Sequence, residues 1–131
     1  MKRSQSVILG CLIIAAIGGA LAIGLGGSRS AADSCVGVRV VAYRATIRGD
    51  RVIAGDAVSA RRCDTLTITN EDSEAREVAF GLHEDHVPYD GVSERVLGKG
   101  QSVLVTLNET GSFRWHDHLH DEVQGRFTVR D

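Results

Sequence analysis

Residues 7–27 (VILGCLIIAAIGGALAIGLGG) contain no charged side chain. A helix of this length rises about 30 Å, the thickness of a bilayer's hydrocarbon core. Lys2 and Arg3 precede it by three residues, and positive charge at one end of a span keeps that end cytoplasmic. Everything after the segment is then expected on the extracytoplasmic side. A cleaved signal peptide is the competing reading, because Ala20-Leu21-Ala22 offers a small-x-small cleavage site after the apolar run. Cleavage would release the remainder as a secreted domain. Ile8-Leu9-Gly10-Cys11 has the look of a lipoprotein box, but only four residues separate it from Arg3. A buried core helix is a poor third reading, since a body of about 104 residues cannot cover a helix that is apolar all round. The expected organisation is a signal anchor or signal peptide over 1–27, a short tether over 28–35 that opens with the small polar run SRSAADS, and one domain over 36–131.

That length excludes a two-domain enzyme. The chain carries 15 Lys+Arg against 17 Asp+Glu, and two of the basic residues are Lys2 and Arg3. The exported part is therefore acidic, with no basic stripe for a nucleic acid. Cys35 and Cys63 both belong to it. Extracytoplasmic compartments are usually oxidising, so a Cys35–Cys63 disulfide is expected. It would close a loop of about 29 residues and contribute roughly 3.5 kcal/mol in the chain-entropy model. Two separately buried thiols are the alternative.

Past residue 35 the apolar period becomes two. Val36, Val38, Val40 and Ala42 alternate with Gly37, Arg39, Val41 and Tyr43, and further short strands are expected at 52–53, 57–60, 65–69, 76–82, 102–107, 112–116 and 125–129. Gly49-Asp50, Gly55-Asp56, Asn70-Glu71-Asp72, Asp90-Gly91, Gly98-Lys99-Gly100 and Thr110-Gly111 supply turns between them. Strands recurring about every ten residues predict an all-β antiparallel sandwich.

The five histidines, His83, His86, His116, His118 and His120, all fall between residues 83 and 120. Neutral imidazole is the commonest protein metal ligand and suits copper, zinc and nickel. A sandwich can bring the loop at 83–86 and the loop at 116–120 to one place. On a strand through 113–117, Phe113, Trp115 and Asp117 share one face, and the aromatic pair should face the core. Asp117 then points inward, where a carboxylate needs a cation, a metal or several donors. His116 and His118 fall on the outer face unless the strand breaks at 117.

The stretch 64–129 resembles the cupredoxins, the blue-copper sandwich family. Asp64-Thr65-Leu66-Thr67-Ile68-Thr69-Asn70-Glu71-Asp72 is similar to their strand ending in Asn-x-Asp, and Gly98-x-Gly100-Gln101-Ser102 to their next hairpin. Gly111-Ser112-Phe113-Arg114-Trp115-His116 is similar to the strand entering their ligand loop, and Gly125-x-Phe127-x-Val129 to the closing strand. The resemblance implies a cupredoxin-like Greek-key β-sandwich, here preceded by the N-terminal transmembrane or signal helix. The family's copper ligands are His, Cys, His and usually Met. The matching positions here hold Arg76, Asp117, His120 and Val123. With no Cys between 64 and 131, a blue copper–thiolate centre cannot form. Arg76 and Asp117 are expected as an ion pair in place of the lost His and Cys. A narrower resemblance, to exported bacterial cupredoxin-like domains, covers His83, His86, Tyr89 and His116-Asp117-His118. It implies metal capture by histidines from two loops, with His120 departing from that pattern.

The leading expectation is a membrane-tethered extracytoplasmic domain that binds copper, or zinc, through a subset of the five histidines. Its work would be copper handling or electron exchange with a redox or copper-delivery protein. The alternative is a metal-free structural or interaction module built around Arg76 and Asp117. A small metalloenzyme using Glu84 or Asp85 as base is a third reading; no His-Glu-x-x-His helix or nucleophile motif accompanies it.

Overall fold

The computed structural model describes residues 35–131. The signal or anchor segment over 1–27 and nearly all of the 28–35 tether lie outside the described residues. Ten strands follow in order: β1 (Ala42–Arg48), β2 (Arg51–Ala54), β3 (Ala57–Arg61), β4 (Thr65–Asn70), β5 (Arg76–Leu82), β6 (Asp85–His86), β7 (Glu94–Leu97), β8 (Ser102–Thr106), β9 (Gly111–Asp117) and β10 (His120–Arg130). One sheet has the order β2-β1-β4-β8; the other has β3-β10-β9-β5-β6, with β7 also paired to β5. The expected all-β sandwich is present.

Its pairing is not purely antiparallel. β1 runs parallel to β4 and β3 runs parallel to β10. The physical reason is that β3 leaves the sheet of β1 and β2 for the other one, and β4 then returns beside β1. Such a crossover brings strands together in the same direction. The first strand also differs from expectation. Val36, Val38 and Val40 are exposed and precede β1, whose inward residues are Tyr43, Ala45 and Ile47. Alternation selects a strand only where one face has something to pack on. β7 and the two-residue β6 carry too little alternation to be legible, and β10 begins at His120, five residues before the expected start at 125.

The core lies between the sheets. Leu66 and Ile68 of β4, Val103 and Val105 of β8, Val78 and Phe80 of β5, Trp115 of β9, and Phe127 and Val129 of β10 form it, with Tyr89 from a loop. Phe113 packs against its margin, so the aromatic pair of β9 does face inward. Gly125 stands opposite Trp115 in the ladder, and a Cβ there would lie 2.5 Å from the indole. The glycine is what lets the largest core side chain lie flat against β10. At the start of the described chain, Cys35 and Cys63 form the expected disulfide, with Cα atoms 5.4 Å apart.

Candidate metal centre

Two short turns carry the histidines. β5 and β6 are joined by His83-Glu84, and β9 and β10 by His118-Leu119. The register alone would keep these turns apart. In the antiparallel β5–β9 pair, Ala79 stands opposite His116 and Phe80 opposite Trp115. A straight β5 would therefore carry His83 away from His116, toward the start of β9. The chain turns at Gly81 instead, with φ of +95°. A Cβ at that position would stand 2.6 Å from both the Asp85 carbonyl oxygen and the Val87 nitrogen. Only glycine accommodates both the backbone angle and that approach. Past this bend, His83 and His86 of the β5–β6 hairpin meet the His116 and His118 rings.

The outcome is a cluster of four imidazoles. The His83 ring centroid lies 4.5 Å from that of His118, nearly parallel to it, and 5.6 Å from that of His116. His86 lies 5.3 Å from His116 and 4.8 Å from His118. One ring nitrogen from each of His83, His116 and His118 falls within 4.8 Å of the other two. Among the described residues, no such ring contact joins His120 to the cluster. Its Nδ1 lies 3.9 Å from Glu122, at the start of β10. His116 alternates with the inward Trp115 on β9, yet it is buried, with the His83 and His86 rings beside it.

Hydrogen bonding leaves a nitrogen free on each of these three rings. His83 Nδ1 is 2.7 Å from Asp121 Oδ1, so the carboxylate holds the proton on Nδ1 and Nε2 is left as an electron-pair donor. His86 Nδ1 is 3.3 Å from Glu94 Oε2, and His86 Nε2 is 3.1 Å from His118 Nδ1. The consistent proton assignment has His86 donating to Glu94 and His118 donating to His86, which frees His118 Nε2. His116 Nε2 is buried with no hydrogen-bond partner. Burial holds the His116 pKa below the ordinary histidine value, and the nearby His86 and His83 rings add to this while a backbone hydrogen bond with Gly81 opposes it. The imidazole is thus kept in its neutral, ligating form.

The donor set fits a metal ion. Nitrogen ligands at 2.0–2.1 Å from a zinc-sized ion stand about 3.3–3.5 Å apart, against separations of up to 4.8 Å among these three nitrogens. A cavity of about 240 Å³ beside the rings, lined in part by His83, His116, Asp121 and Gln124, gives access. Glu94 was not legible as a partner of this site. Its pairing with His86 depends on β7 lying along β5, which no local pattern announces.

Immediately below the cluster, Asp117 is fully buried, with Arg76 Nη1 3.1 Å from Oδ2. Its Oδ1 accepts the Glu77 and Leu119 backbone N–H groups. Arg76 also donates from Nε and Nη2 to Asp72 Oδ2 and from Nη2 to the Gly49 carbonyl. Burial opposes the Arg76 charge, and the bonds to Asp117 and Asp72 outweigh it, so the guanidinium pKa lies above its usual value. The carboxylate therefore has the cation and the donors that its inward position demands.

No protein-family model matches the chain, and no curated protein does. Solved structures do. A reduced amicyanin variant aligns over 68% of this chain and 82% of its own, at 20% identity with a TM-score of 0.56. A second reduced variant covers 73% and 89% at 19% identity, with a TM-score of 0.57. An amicyanin variant in its Cu(I) form covers the same shares at 19% identity and 0.56. The chain has the cupredoxin-like fold.

Proposed function

We propose that this cupredoxin-like chain is a membrane-tethered, extracytoplasmic domain that binds copper through His83, His116 and His118. Copper handling or one-electron exchange with a protein partner would be its role. The observation that carries the reading is the convergence of three ring nitrogens, one of them the buried and unpartnered Nε2 of His116. His86 acts behind the ligands, by orienting His118. The Cu(I) form of the amicyanin neighbour supports copper over zinc as the physiological ion, although imidazole ligands suit both. With Asp117 in the thiolate's position, the site is not of the blue type.

Titration of the full chain in detergent with Cu(II), followed by calorimetry, visible absorption and electron paramagnetic resonance, tests this. One equivalent should bind, with weak absorption and nitrogen hyperfine structure. A His83→Ala/His118→Ala variant should take up none. Equal uptake by both proteins, or by neither, would overturn the reading.

The alternative, a metal-free interaction module, draws on one observation: Arg76 and Asp117 pair with each other where the family places copper ligands. An intact fold that binds neither copper nor zinc would favour it.

A further inference from the structure

At the opposite end of the sandwich from the histidines, three arginines surround a cavity of about 510 Å³ that Arg39, Arg61 and Arg130 help to line. Arg61 and Arg130 stand directly opposite each other in the parallel β3–β10 ladder. Like charges in that relation repel and destabilise a sheet unless something neutralises them. Neither acid of the cavity forms a salt bridge with Arg39, Arg61 or Arg130 among the described residues. Asp64 accepts the backbone N–H groups of Val41 and Arg61, and Asp131 pairs with Arg62 at 2.9 Å. Among the described residues, Arg39, Arg61 and Arg130 form no salt bridge.

The same pole presents apolar side chains to solvent. Val36 is 83% exposed, and Val38, Val40 and Val41 are each about half exposed. Arg39 lies within this run. Valines interleaved with a guanidinium, beside two more, make a surface that places apolar groups at the acyl boundary and cations at the phosphates. The position agrees with such a partner. The apolar run ends at residue 27, and the seven residues 28–34 span at most about 25 Å even when extended.

We infer that this pole is a docking surface for the anionic phospholipid headgroups of the membrane next to it. Arg39, Arg61 and Arg130 take the phosphates, and Val36, Val38 and Val40 enter the interface. The inference rests on the proposed anchoring of residues 7–27. His116 stands opposite Gln124 in the ladder, and Arg130 lies six residues further along β10, about 20 Å away. Docking would therefore hold the histidine cluster facing away from the bilayer.

The test is hydrogen exchange of the full chain in nanodiscs of phosphatidylcholine, with and without phosphatidylglycerol. Amides of residues 36–41 and 59–62 should exchange about fivefold or more slowly with phosphatidylglycerol present. Protection should vanish in an Arg39→Gln/Arg61→Gln/Arg130→Gln variant that keeps wild-type copper uptake and melting behaviour, and at about 1 M salt, where the Debye length is about 3 Å. Equal exchange in both discs would overturn the inference. Equal protection by inorganic phosphate in phosphatidylcholine discs would overturn it too, by making the ligand a free anion. A chain that fails to co-elute with the discs would refute the anchoring. Sedimentation with phosphatidylglycerol vesicles then decides the surface separately: arginine-dependent binding supports it, and no binding overturns it.

Discussion

At the scale of single residues, the buried pair of Arg76 and Asp117 predicts an asymmetry. Arg76→Leu strands a carboxylate that is wholly shielded from water, and it should cost about 3–5 kcal/mol. Asp117→Asn leaves Arg76 with Asp72 and the Gly49 carbonyl, while the amide oxygen still accepts the Glu77 and Leu119 N–H groups. It should cost about 1–3 kcal/mol. Urea midpoints of the two variants measure the difference. Asp72 adds a pH dependence. The Gly49 N–H bond, aided by Arg76 and Arg48, lowers its pKa from the ordinary 3.8, against the opposing effect of burial. A depressed carboxylate contributes stability in full above its unfolded value, and the contribution is lost as pH falls through the folded one. The acid limb of stability below about pH 4 should therefore be shallower in Asp72→Asn than in the wild type, as read by denaturation at a series of pH values. Asp117's need for a cation, a metal or several donors was legible from its inward position, and Arg76 was singled out only through the positions that match the cupredoxin ligands. Asp72's role as the guanidinium's second acid was not legible, since it rests on the geometry of a turn.

At the scale of elements, the alternation of apolar residues located β3, β4, β5, β8 and β9 closely, because each packs one face on a core. It misplaced the first strand over 36–43, where the valines have no opposing sheet. It also overlooked β7, which is held by pairing with β5 along the backbone. The bend at Gly81 is the decisive local feature for the candidate site. Gly81→Ala places a Cβ against two backbone atoms at a left-handed φ, at a cost of about 1–3 kcal/mol. The close atoms belong to Asp85, His86 and Val87, so relief shifts the hairpin that carries His83 and His86. Copper affinity should fall by about tenfold or more, a loss of about 1.4 kcal/mol, while the far-ultraviolet spectrum stays that of a β protein. Wild-type affinity in Gly81→Ala would show that the hairpin does not need this bend to deliver His83.

At the scale of the molecule, the Cys35–Cys63 disulfide fastens the start of the described chain to the turn between β3 and β4. Cys63→Ser should lower stability by roughly 3.5 kcal/mol through the lost loop constraint. Thermal unfolding should then no longer respond to reductant, while copper uptake at the far pole persists. Legible in the amino-acid sequence were the all-β class, the inward-facing Phe113 and Trp115 of β9, the disulfide partners and the need of Asp117 for a cation, a metal or several donors. These follow from period-two burial, cysteine count and the cost of a buried charge, all local or compositional quantities. Which histidines meet depends instead on contacts between residues distant in the chain. Residues 83 and 116 are far apart in the chain, and the strand register alone would separate them further. A single left-handed glycine folds one turn onto the other, and that closes the cluster around His83, His116 and His118 while leaving His120 beside Glu122. Likewise Arg61 and Arg130 become neighbours only because β3 crosses to run parallel to β10.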